Sequence, residues 1–187
     1  MRTSHLITVC VGFWLGQLAY ASATCNVAVS KPWAKTSVHI EAFSNGPDCA
    51  RAVVALVVRD AKGMALYHFM AKAEDVGIFT SLAPAPVTNV PKMRAALNDW
   101  LLAAGNSKQD RLGSFPKWKV GADGPATMPP AEFPFTVNSG VSREDYSKWQ
   151  KDNLPVFCFV QGIESQNCLV LTREGVVNEV GIQSFPG

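Results

Sequence analysis

"CFVQGIESQNC", residues 158–168, sets a polar tip between two cysteines, with apolar runs on either side. Read as a β-hairpin whose tip centres on Ile163, the stretch places Cys158 directly across from Cys168, at a separation that a disulfide can span. The flanking runs, 154–160 and 168–171, are continuously apolar, and a further strand over 176–182 follows the turn residues Glu174 and Gly175. The C-terminal part therefore reads as a β-meander whose register one disulfide fixes.

Pairing of these thiols depends on compartment, and the N-terminus bears on that. Arg2 precedes an apolar run over 6–18 that only Thr8 and Gln17 interrupt, and Ala21-Ser22-Ala23 has the A-x-A form of a cleavage site. Residues 1–23 read as a secretory signal peptide, with Ala19-Tyr20-Ala21 offering a second cut after Ala21. The run is shorter than the ~20 apolar residues of a spanning helix, and no later segment is apolar enough to replace it. Cleavage leaves 164 of the 187 residues, 24–187, as a single exported domain of the periplasm or the secreted fraction.

Cleavage also removes Cys10 and leaves Cys25, Cys49, Cys158 and Cys168, an even set that an oxidising compartment turns into two disulfides. With Cys158 paired to Cys168, elimination ties Cys25 to Cys49. Zinc is disfavoured because there is no C-x-x-C, and His39 and His68 stand at no ligand spacing from a cysteine. A lipid on Cys25 would want an aliphatic residue and a small one where Ser22 and Thr24 stand. A redox dithiol would want a helix start or a cation to lower its pKa, and the hairpin supplies neither.

Composition excludes further classes. The chain is 48% hydrophobic and 17% charged, with a formal charge of +2 that becomes +1 without Arg2. Acids and bases interleave with no basic run, which excludes nucleic acid and anionic membrane as electrostatic partners.

The N-terminal part is a second meander. Val38, Ile40 and Ala42 alternate with His39, Glu41 and Phe43, the run 52–58 is apolar at every position as in a central strand, and Asp60 to Gly63 supply a turn before a return over 64–70. A leading edge strand over 25–30 ends at Pro32. Between the meanders, Pro91 opens an amphipathic helix carrying Met93, Leu97, Trp100, Leu101 and Ala104 on one stripe and stopping at Gly105-Asn106. Residues 107–138 form a long loop rich in proline and glycine, and Ser142 with Asp145 caps a short helix carrying Tyr146 and Trp149. The fold class is α+β: one domain, an antiparallel sheet or two stacked ones from the two meanders, with one longer and one short helix gathered on one side.

Function is narrowed mainly by exclusion. The chain has no G-x-S-x-G, no H-E-x-x-H, no phosphate-binding loop and no dinucleotide fingerprint, and no cofactor is implied. His39 and His68 read as structural histidines separated by a central strand. Glu132, Glu144, Asp145 and Asp152 do not form a carboxylate pair suited to glycoside chemistry. What remains is Phe115, Trp118, Phe133 and Phe135 in the proline-rich loop: candidate partner-binding aromatics, or a cluster that seals the core beneath the loop. The expected function is a non-enzymatic, exported, disulfide-stapled binding or envelope-accessory protein whose partner is an envelope or extracellular protein. The rival class is a hydrolase with an unrecognised site.

One short stretch carries a resemblance. "SGVSREDY", Ser139 to Tyr146, is similar to the S-G-x-x-Y loop of small periplasmic lysozyme inhibitors, with the tyrosine displaced further along the chain. The resemblance implies an inhibitor of a hydrolase such as lysozyme.

Overall fold

The computed structural model describes residues 24–33, 36–80, 87–102, 111–125 and 134–184. Residues 1–23, read as a signal peptide, lie outside them, as do Glu132, Phe133, Ala104 and the helix stop expected at Gly105-Asn106.

Alternation builds the first sheet, from β1 (Val27–Pro32), β2 (His39–Asn45), β3 (Val53–Arg59) and β4 (Ala65–Lys72), antiparallel and in sequence order. Ile40, Ala42 and Ser44 of β2, and Val54, Leu56 and Val58 of β3, point inward and are buried. The β3–β4 turn closes because the Asp60 carboxylate accepts the amides of Lys62 and Met64, while Gly63 takes φ of 82°. Pro32 lies at the end of β1, opposite His39, where an earlier stop was expected. It is tolerated because the β1 groups that bond β2 belong to alternate residues, Val27, Val29 and Lys31, as the amide of Cys25 on the carbonyl of Gly46 sets. Pro32 therefore lacks only a donor that would face away from the sheet.

The second sheet runs β5-β8-β7-β6, from β5 (Phe135–Val137), β6 (Val156–Val160), β7 (Ser165–Leu171) and β8 (Val177–Ser184). Cys158 stands opposite Cys168, and the two are bonded, with Cα atoms 4.0 Å apart. Bonds from Leu171 to Pro155 and from Gln161 to Ser165 place the hydrogen-bonded pairs at odd β6 positions, so the cysteines occupy the closer, non-hydrogen-bonded kind of pair. The second disulfide joins Cys25 to Cys49 and holds the start of β1 to the β2–β3 connection. β7 starts three residues before Cys168, the backbone ladder continuing through polar Ser165, Gln166 and Asn167. β5, at the end of the long loop, was not foreseen. It approaches β8 where Gly181 has no side chain: a Cβ there would meet the Phe135 ring 2.7 Å away and collide with the Thr136 carbonyl.

The two helices lie in different layers, not on one side. α1 (Val90–Leu102), started by Asn89 accepting the Lys92 amide, packs Met93, Leu97, Trp100 and Leu101 against the inner face of β1 and β2, in a core shared with Phe157, Phe159 and Leu169. The Trp100 indole donates to the Val160 carbonyl at 2.7 Å and joins α1 to the second sheet. α2 (Arg143–Lys151) begins where Ser142 Oγ accepts the Asp145 amide at 3.0 Å. It covers the opposite face of the second sheet, where Tyr146 joins Leu112, Phe115, Phe135, Val156, Val170 and Val180. Sheet, sheet and a helix-with-loop layer thus stack in one α+β domain. Two separate patterns of apolar side chains on the second sheet bury both of its faces.

Candidate functional site

Two of the aromatics nominated from the long loop are core residues. Phe115 and Phe135 are buried and meet edge to face at 5.2 Å on the far side of the second sheet. Trp118 is half-buried. Its ring meets Tyr146 edge-on at 5.8 Å, its indole N–H donates to the Ala122 carbonyl, and it lines a cleft of about 310 Å³ with Asp123, Pro125, Thr136 and Asn138. Phe133 is outside the described residues. The loop is fixed from below: Gln150 Nε2 donates to the carbonyls of Phe115 and Pro116, and the Tyr146 hydroxyl donates to Pro116 at 2.8 Å. Burial pushes the Tyr146 hydroxyl well above the ordinary tyrosine range. With Tyr146 0% exposed, the stretch 139–146 forms a turn and a helix start, and its tyrosine cannot be offered to a partner.

A polar cluster bridges the two sheets. Glu179 of β8 accepts from the Tyr67 hydroxyl at 2.8 Å, from Asn167 at 2.9 Å and from Asn138 at 3.2 Å. Partial burial, and next the bond to Glu179, raise the Tyr67 hydroxyl above its usual range. Three donors on one carboxylate make a clamp between β4, β7 and β8, and they occupy the oxygen atoms that a general base would need. Glu179 was not among the acids weighed from the sequence, and those within the described residues are dispersed. Asp145 caps α2 through Ser142, Asp152 pairs with Arg173 at 3.3 Å, and Glu144 is exposed. Among the described residues no group of three or more His, Cys, Asp and Glu side chains converges, and no helix is long and apolar enough to cross a membrane.

The two histidines share the outer face of the first sheet, on either side of β3. His39 Nε2 lies 3.5 Å from the Glu41 carboxylate, which Arg59 also holds at 2.8 Å. His68 corrects the expectation of a structural, hydrogen-bonded histidine: it is exposed on β4, an edge strand, with no hydrogen bond among the described residues.

That outer face carries the strongest unassigned feature. Register sets Ala28, Phe43, Ala55 and Met70 in one row across all four strands, apolar throughout. Phe43 is 36% exposed, Val53 38% and Met70 67%, and no described element covers them. Alternation along β2 sorts Phe43 with His39 and Glu41 on the outward side of a half-buried strand. The signal that would have found the row is the placing of Phe43 and Met70 at outward positions on the two neighbours of an all-apolar β3.

Comparison of the chain with protein-family models, with curated proteins and with solved structures finds no match.

Proposed function

We propose that the chain is an exported, disulfide-stapled binding protein, non-enzymatic, which engages an envelope or extracellular protein through the outer face of its first sheet. The observation that carries this reading is the apolar row Ala28–Phe43–Ala55–Met70, whose Phe43 and Met70 are exposed and which no described element covers, on a protein whose other sheet is covered on both faces. Uncovered apolar sheet faces of this kind mark interaction surfaces. Export is supported by the pattern of residues 1–23 and by the two disulfides, which persist in oxidising compartments. Burial of Phe115, Phe135 and Tyr146 argues against the aromatic loop and the inhibitor-like stretch as the contact surface.

The test is capture from an envelope extract by immobilised domain. The wild type and Trp118→Ala should retain the same partner, and Phe43→Glu should lose it while melting at nearly the same temperature. Retention by Phe43→Glu together with loss by Trp118→Ala would move the site to the loop.

A further inference from the structure

Among the described residues the two sheets have four edge strands, and three of them are closed. β1 ends in Pro32, which has no N–H to offer, and the carbonyl of Ala28 accepts from Arg94 of α1. β6 is capped at both ends, with the Leu154 carbonyl taken by Leu112 and the Val160 carbonyl by Trp100, while Arg111 bridges to Pro155. β5 is three residues long. β4 is the exception: eight residues with no proline and only Lys72 near its end as a charged guard.

Hydrogen-bond parity shows what β4 presents. The Ala73 amide bonds the Ala52 carbonyl, and the register from Val53 to Val58 is unbroken, so Tyr67, Phe69 and Ala71 direct their backbone groups to β3. By the same parity the N–H groups of His68, Met70 and Lys72 and the C=O groups of His68 and Met70 point away from β3, while the Lys72 carbonyl opens the short helix Ala73–Asp75. On the inner face Tyr67 and Phe69 stay half-buried, as residues do beside a missing strand.

We infer that β4 pairs with β4 of a second copy of this chain, antiparallel, joining two four-stranded sheets into one of eight. Self-pairing requires residues of the same parity to face each other, and the register that sets Met70 against Met70 of the second copy meets this condition. In that register Phe69 of each copy faces Ala71 of the other, a bulky ring against a small side chain in both inner-face pairs that lie wholly within the strand. On the outer face the apolar row continues through Met70 into the second copy and reaches its Ala28. A twofold axis normal to the sheet keeps both outer faces on one side. The pairing does not depend on what occupies that face.

Sedimentation equilibrium of residues 24–187 between about 1 and 200 µM tests it, with amide exchange read at both ends of the range. The wild type should pass from monomer to dimer, and the amides of His68, Met70 and Lys72 should slow at least tenfold at the high concentration. Met70→Pro deletes an N–H that β3 does not use. Met70→Lys, at a site 67% exposed, sets two cations against each other without disturbing the core. Both variants should stay monomeric across the range. A wild type that is monomeric at 200 µM overturns the pairing, and so does a dimer that survives Met70→Lys.

Discussion

The two sheets of this protein match in strand number, antiparallel pairing and possession of one disulfide, yet they treat their outer faces differently. The second sheet is a middle layer: Phe157, Phe159 and Leu169 face the first sheet, while Phe135, Val156, Val170 and Val180 face α2 and the loop. Among the described residues the first sheet is covered only on its inner face, but β3 is as apolar as a strand buried on both sides, and its outward Ala55 and Val57 are themselves buried. An all-apolar strand thus indicates a missing layer as readily as a present one. In the second sheet the chain supplies that layer itself; in the first, a partner is proposed to supply it.

Substitutions on the two faces separate these cases, and the largest effect belongs to the residue that joins the sheets. Trp100→Ala removes a fully buried ring and the bond to Val160, and should cost about 4 kcal/mol in denaturant unfolding. Phe135→Ala, on the covered outer face of the second sheet, should cost about 3 kcal/mol, whereas Phe43→Ala, on the uncovered face of the first, should cost under about 1 kcal/mol. Equal costs would erase the distinction between the faces. Trp118→Ala, half-buried, should fall between them at about 2 kcal/mol, read as a lowered melting midpoint.

A smaller effect appears at alkaline pH. The hydroxyls of Tyr67 and Tyr146 both have folded pKa values above the unfolded value of about 10. Their contribution to stability is complete below pH ~10 and is lost as pH rises towards the folded values, because the unfolded chain gives up its protons first. Stability should decline above pH ~10 by at most about 1.4 kcal/mol per unit for each tyrosine, with Tyr67 contributing less because its side chain is partly open to water. Tyr146→Phe should flatten the steeper part of that decline in pH-dependent unfolding.

Elements with local causes were legible in the sequence. The Cys158–Cys168 pairing follows from a hairpin tip at Ile163, α2 from the Ser142 cap, and the β3–β4 turn from Asp60 and Gly63. What depended on distant contacts was not. β5 exists because Gly181 leaves room for Phe135 and Thr136, a relation across more than forty residues that no local pattern encodes. The separation of the helices into two layers follows from the second sheet being apolar on both faces, although β6 alone could have been packed against either meander. The clamp of Tyr67, Asn167 and Glu179 unites three strands, and each residue taken singly reads as an ordinary polar position. The outer face was missed for a simpler reason: alternation in β2 sorted Phe43 with His39 and Glu41, whose polarity concealed an apolar row running across the strands, not along them.

Methionine oxidation tests the central claim, that the outer face of the first sheet is covered by a partner, most directly. Met70 lies on that face at 67% exposed, Met64 is 61% exposed in the neighbouring turn, and Met93 is fully buried in α1, so one chain carries probe, reference and control. Peroxide should oxidise Met70 and Met64 at similar rates in the purified domain at about 1 µM, and Met93 far more slowly. In envelope extract the account predicts that oxidation of Met70 slows at least fivefold against Met64. An unchanged ratio of the two rates would contradict it.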